Sequence, residues 1–222
     1  MKIEITREEL TALIRRQLNH LFILREGAET DHLGASIDPT LSKIEHCFIH
    51  TPNKYYEKDG QPYFNPFHSG QYSIFLYYLS HTIFENNPEH RTLADRVYYL
   101  NKALNAVDLF YEVDLPKIFF MDHPVGTVLG RATYGDYFSC AQNCTVGNNK
   151  GIYPKIGRNV KLLSGAKLIG NSTIGDNVTL SSNTYVKDTD IPSCSLVFGS
   201  SPNLTIKKKE PAYFSPPTHK LL

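Results

Sequence analysis

Residues 156–186 read IGRNVKLLSGAKLIGNSTIGDNVTLSSNTYV. Within them Ile156, Leu162, Leu168, Ile174, Leu180 and Val186 stand six apart without a miss. Four positions after the first five come Val160, Ala166, Ser172, Val178 and Thr184, all small or β-branched. Asp190 breaks the pattern at the sixth, so the repeat ends there. Upstream the same step runs through Val128, Tyr134, Cys140 and Val146, with Ala132, Phe138 and Cys144 four later. The two blocks are offset by four residues, which predicts an excursion within 148–155.

A period of six excludes a helix, which repeats at 3.6, but it is a multiple of the strand period of two. Short strands therefore fit, each followed by a turn. One aliphatic side chain per hexapeptide points inward and a small residue sits near the corner. Three such segments make a triangular coil, and stacked coils line their inward residues into ladders. Gly157, Gly165, Gly170, Gly175, Asn177 and Asn183 suit the corners, because Gly and Asn tolerate positive φ. A β-sandwich would instead space its turns 8–12 residues apart.

Outside the repeat the chain changes character. Thr6 and Glu9 make a capping box before Leu10, Leu13, Ile14, Leu18, Leu21 and Phe22, predicting an amphipathic helix over 6–24. A shorter helix is expected at 36–46. Residues 50–68, with Pro52, Gly60, Pro62 and Pro66, read as loop. Two further helices, 71–84 and 93–110, flank the Asn86-Asn87-Pro88 break. The fold class is mainly β with α: an α-helical domain (1–112), a parallel β-helix (113–196), and an extension (197–222) capping the last coil.

Bulk composition is that of an ordinary globular protein. The 222 residues are 41% hydrophobic and 20% charged, with a net charge of +1. That balance gives no electrostatic case for nucleic acid. The opening MKIEITREEL lacks an apolar run of signal length, and no stretch approaches a membrane span. Cys47, Cys140, Cys144 and Cys194 form no CxxC pair and read as reduced thiols. The expected location is the cytoplasm, with no membrane partner and no metal.

The period resembles the hexapeptide-repeat transferases, and the order of parts is similar to serine O-acetyltransferase, over roughly residues 68–200. Asp122-His123 followed by Gly126 resembles that family's Asp-His-x-x-Gly. Cys144-Thr145-Val146-Gly147 resembles Val-Thr-Leu-Gly, and Tyr153-Pro154-Lys155-Ile156-Gly157 resembles His-Pro-Lys-Ile-Gly. The run 164–171, SGAKLIGN, resembles Ala-Gly-Ala-Lys-Ile-Leu-Gly-Asn.

The resemblance implies a left-handed β-helix and transfer of an acetyl group from acetyl-CoA, as co-substrate, directly to the hydroxyl of a small acceptor. His123 would be the catalytic base. An imidazole suits that task, because its ordinary pKa lies near neutrality. Asp114 matches the family's partner to that His, although its spacing is about one hexapeptide short, and Glu112 is a rival. Gly147 and Asn148 match the oxyanion turn. Backbone N–H groups near Ser164, Gly165 and Ala166 would meet the pantetheine arm, and Lys167 or Lys207–Lys209 the phosphates. Asp122 matches an acceptor-binding carboxylate.

The family's Arg-His pair reads Ile152-Tyr153 here. That loss argues against ordinary free serine, while Tyr153 and the aromatics of 63–78 suit a sugar ring. Serine or a related molecule, a sugar hydroxyl or amine in surface-polysaccharide synthesis, and a non-catalytic scaffold therefore stand as alternatives. The resemblance also implies a homotrimer, or a dimer of trimers joined through the N-terminal helices, with each site between two copies.

Overall fold

The computed structural model describes residues 1–51 and 53–214. Pro52, expected in a loop, and residues 215–222 of the expected cap lie outside the described residues. The chain forms two compact units. Residues 1–105 with 109–112 make the first, and residues 106–108 with the chain from Val113 onward make the second.

In the first unit α1 (Arg7–Leu21) starts where the capping box predicts. Glu9 N–H donates to Thr6 Oγ1 at 3.2 Å and Thr6 N–H to Glu9 Oε2 at 2.8 Å. Leu10, Ile14 and Leu18 form its buried stripe. The second helix, α2 (Ala28–Ile49), is twice the expected length. Its buried face includes Ser36 and Thr40, whose hydroxyls donate to His32 O and Ser36 O one turn back. Polar side chains satisfied in this way can be buried, so the apolar count understates the stripe.

The region expected as loop holds two short strands, β2 (Glu57–Lys58) and β3 (Gln61–Phe64), and β3 also pairs with β1 (Lys2–Ile3). The remaining helices are α3 (Ser69–Asn86) and α4 (Arg91–Asn105). α4 stops short of Phe110 because Ala106 takes a φ of 52°.

The second unit begins near the short strand β4 (Asp108–Leu109) and is a left-handed parallel β-helix of about five coils. The first coil holds β5 (Phe119–Met121), β6 (Val128–Leu129) and β7 (Thr133–Tyr134). The second holds β8 (Phe138–Cys140), β9 (Thr145–Gly147) and β10 (Lys155–Ile156). The third holds β11 (Val160–Leu162), β12 (Lys167–Ile169) and β13 (Thr173–Ile174). Then come β14 (Val178–Leu180), β15 (Tyr185–Lys187) and β16 (Ser195–Ser200), with β17 (Asn203–Lys208) antiparallel to β16.

Each strand pairs in parallel with its counterpart one coil away, so three ladders run along the axis. The first is Met121, Cys140, Leu162, Leu180, Val197. The second is Leu129, Val146, Leu168, Val186, and the third is Tyr134, Ile156, Ile174, Ile191. All six hexad residues from Ile156 to Val186 are buried, as are the five small partners.

One position differs from the expected register. Leu129, not Val128, is the inward residue of the first coil: it is 1% exposed against 39% for Val128. Val128 pairs with Thr145, so that coil is 17 residues long and the hexad frame slips by one.

Two of the corner glycines also serve another purpose than expected. Gly157 and Gly175 have ordinary φ. A Cβ at Gly157 would sit 2.8 Å from Gly175 C, and one at Gly175 would sit 2.5 Å from Ser193 N. These glycines allow close stacking of coils.

Among the described residues, no helix is long and apolar enough to cross a membrane. Truncating a ladder residue leaves a cavity that neighbouring coils cannot close. Leu168→Ala should therefore lower stability by about 2–5 kcal/mol. Lys155→Ala, on the outer surface, should stay within about 0.5 kcal/mol. Denaturant melts check this, and equal small losses would mean the ladders are not the core.

Candidate active site

His123 sits where β5 gives way to the corner before β6. Asp122 N–H still donates to Cys140 O at 2.9 Å, continuing the strand ladder. The chain then turns sharply. His123 takes a φ of 46°, Val125 N–H donates to His123 O at 2.8 Å, and Thr127 N–H donates to Pro124 O at 3.0 Å. A non-glycine residue at positive φ is held there by its surroundings. The result is an imidazole projected outward, its side chain 87% exposed, with Nε2 3.7 Å from Asp122 Oδ1.

Thr127 does most of the holding, and its sequence context gave no hint of that. It is fully buried. Its hydroxyl donates to Ala141 O at 2.9 Å and accepts Cys144 N–H at 3.3 Å. Its carbonyl accepts Asp108 N–H at 2.9 Å. Cys140 and Cys144 are buried beneath this corner, and burial pushes both thiols up from their ordinary value, so they stay neutral packing groups.

The corners stack along edges of the prism. Residues 122–127 lie over 141–144, then 163–166, then 181–184: Asn143 N–H donates to Val125 O, Gly165 N–H to Gln142 O and Asn183 N–H to Ser164 O, each at 2.9 Å. One edge therefore carries His123, Asp122, Ser164, Gly165 and Ala166. The first two lie two coils from the rest, about 10 Å along the axis.

Most of the backbone donors expected there are already engaged. Gly165 N–H goes to Gln142 O, Ala166 N–H to Leu163 O and Lys167 N–H to Thr184 O. Of the expected donors near Ser164, Gly165 and Ala166, the Ser164 N–H makes no hydrogen bond among the described residues. Lys167 Nζ rests on Gly165 O at 3.1 Å, within reach of the same edge.

Gly147, Asn148 and Tyr153 lie at the next edge, beyond the far end of β9. Gly147 O accepts Gly170 N–H at 3.0 Å. Between β9 and β10 the predicted excursion is a tight hairpin. Asn149 and Ile152 exchange both backbone hydrogen bonds at 3.0 Å, and Lys150 and Gly151 have φ of 51° and 79°. Asn148 Nδ2 stands 3.5 Å from the Tyr153 hydroxyl. In one chain, then, the face carrying β6, β9 and β12 separates His123 from Gly147 and Tyr153.

Asp114 is exposed and makes no hydrogen bond or ion pair with His123. The rival Glu112 forms an ion pair with Arg91 within the first unit. His68 caps α3 by accepting Gln71 N–H, and His81 bonds Tyr111 O and Glu85, in keeping with packing roles. Among the described residues, no group of three His, Cys, Asp or Glu side chains could hold a metal.

Residues 153–188 match the family described as bacterial transferase hexapeptide (six repeats). Serine acetyltransferases of Staphylococcus aureus strain Mu50 and Staphylococcus epidermidis strain RP62A are 28% and 29% identical to 60% of this chain. The match spans 63% of those relatives' own length. Among solved structures, serine acetyltransferase of Brucella abortus strain S19 in complex with coenzyme A superposes with a TM-score of 0.67. That match covers 93% of this chain and 83% of the other, at 19% identity. The serine acetyltransferase of Neisseria gonorrhoeae in complex with serine gives 0.65, at 22% identity, over 88% and 83%.

Repeat, prism and matches together make this chain similar to the hexapeptide-repeat acyltransferase superfamily. Within that superfamily its likeness is to the serine acetyltransferase branch.

Replacing Thr127 by Val keeps the shape but removes the hydroxyl. Cys144 N–H and Ala141 O would lose that partner, at a cost of about 1–3 kcal/mol. A denaturant melt of Thr127→Val measures it. A loss under about 0.5 kcal/mol, the range of ordinary surface changes, would show that Thr127 does not hold the corner.

Proposed function

We propose that this chain is a serine acetyltransferase-like enzyme that moves an acetyl group from acetyl-CoA directly to an acceptor hydroxyl, with His123 as general base. The observation carrying this reading is the outward, conformationally strained His123 beside Asp122, on the edge shared with Ser164–Ala166. The CoA-bound Brucella relative and the serine-bound Neisseria relative support it by their likeness in fold.

An alcohol attacks a thioester poorly at neutral pH, because its proton must leave as the new C–O bond forms. His123 takes that proton and returns it to the departing thiolate sulfur. A carboxylate near the ring steadies the imidazolium that forms between these two transfers. Asp122 is the nearer candidate in one chain. Asp114 keeps its proposed role only if its carboxylate reaches the ring by a change not seen in the isolated chain.

The tetrahedral intermediate carries an oxyanion, for which the turn at Gly147 and Asn148 is the proposed donor. Because that turn lies one face from His123, the reading requires the Gly147 edge of one copy to meet the His123 edge of another. A homotrimer, alone or paired, provides that meeting. Ser164 N–H, Lys167 and the surfaces of Gly165 and Ala166 would receive the CoA arm.

A second acceptor class is favoured by the hairpin itself. Where the resemblance to serine acetyltransferase implies an Arg-His pair, this chain has Ile152, 49% exposed, followed by a phenol paired with an amide. An apolar side chain cannot hold a carboxylate, whereas Tyr153 and Asn148 can hydrogen-bond and pack on a sugar.

Thiol release from acetyl-CoA, measured with serine, glucose and glucosamine, tests the reading. Turnover is expected with at least one acceptor, and His123→Ala should lower kcat about 10²–10⁴-fold. Undiminished turnover in the variant would remove His123 from the chemistry. CoA binding without turnover of any acceptor would favour the scaffold reading.

A further inference from the structure

The 148–153 hairpin is attached to the prism at a point that its own sequence does not reveal. The attachment lies on the next two coils. Asn149 Nδ2 donates to Asp188 Oδ2 at 2.5 Å. Asp188 Oδ1 accepts Asn171 N–H at 2.8 Å. One carboxylate just past the end of β15 thus ties together the hairpin, the corner after β12 and its own corner.

Gly170 lies in the middle of this arrangement. Its φ is 78°, and its N–H donates to Gly147 O. A Cβ there would come within 2.1 Å of Asp188 Oδ1 and 2.7 Å of Asn149 Cβ. The three layers approach so closely that a side chain is excluded. Asp188 itself takes a positive φ of 48°, as Asn143, Asn159, Asn177 and Asn183 also do at their corners with φ of 55–60°.

The hairpin has few other fastenings. Within it Asn149 and Ile152 bond each other, and Gly151 N–H donates to Asn148 Oδ1 at 3.2 Å. These bonds fix its internal shape but not its angle to the prism. Asn148 and Tyr153 flank it on either side, so a tilt about Asn149 would carry both away from their place.

We propose that Asp188 is a positioning residue: through Asn149 it sets the angle of the hairpin and hence the placement of Asn148 and Tyr153 for the acceptor. This rests on the transferase reading above. Asp188 touches neither acceptor nor acyl group, so its effect should fall on acceptor handling and not on binding of CoA. Both bonds converge on a charged acceptor, which makes them the stronger kind. An amide at 188 can accept at only one of the two places.

The test uses the full chain with Asp188→Ala, Asp188→Asn and Asn149→Ala. Transfer from acetyl-CoA to serine, glucose and glucosamine is measured alongside amide hydrogen exchange of 148–153. Asp188→Ala should raise the KM for the acceptor about tenfold or more, leave the KM for acetyl-CoA within about twofold, and speed exchange at Asn149 and Ile152 by about tenfold. Lys167, in the adjoining strand, should keep its protection, which separates a loosened hairpin from an unfolded chain. Asp188→Asn should lie between. Asn149→Ala should reproduce the effect, and the double variant should add nothing to it.

Unchanged acceptor kinetics and unchanged exchange, or fully additive effects, would overturn the proposal. If the wild-type chain turned over no acceptor, the transferase reading would fall. Exchange would then decide alone whether Asp188 holds the hairpin, and unchanged exchange would overturn that part too.

Discussion

Burial of one aliphatic side chain per six residues is the constraint on which the second unit depends. A single coil of that length cannot close a core, because its inward residues would meet only each other. Stacking supplies the missing neighbours: Leu168 lies on Val146 and under Val186, and Leu162 lies between Cys140 and Leu180. The ladders then dictate where the corners fall. Corners repeat in register along each edge, so a residue placed at one corner acquires neighbours from coils 17 to 22 residues away in sequence. Chemistry in this fold is therefore assembled along edges, from residues that sequence separates.

That arrangement explains why the candidate site is divided. The His123 edge offers an exposed imidazole, a carboxylate and, at Ser164, an N–H that makes no hydrogen bond among the described residues. The Gly147 edge offers a turn, an amide and a phenol on a short hairpin. A rigid prism keeps the two apart in one chain, and the proposed association of copies along the face between them would unite them. Rigidity also favours precision, because the corner at 122–127 is held by a buried hydroxyl and not by solvent-exposed contacts.

The parts of this that could be read from sequence are those governed by period. The six residues from Ile156 to Val186 are inward because alternation and coil length leave no other choice. The four-residue offset between blocks had to appear as an excursion, and it is the hairpin at Asn149–Ile152. Val128 falls outside the ladder because a coil one residue short shifts the frame without changing the look of the pattern. α2 runs longer than an apolar count predicts because Ser36 and Thr40 are buried with their hydroxyls bonded backward.

The candidate site residues His123, Asp122, Gly147 and Tyr153 are visible as motif positions. Their division between two edges is not, because it depends on which corner each occupies. Nor could sequence tell that the N–H groups of Gly165 and Ala166 are already engaged by neighbouring coils.

The central claim is that the His123 edge receives the thioester. A crystal structure of the full chain with CoA tests it most directly. His123 acting on the thioester requires the CoA sulfur within about 4 Å of its imidazole, close enough for proton transfer as the bond to sulfur breaks, with the arm running toward Ser164. A sulfur seated on another edge of the prism, or against the helical unit, would contradict it.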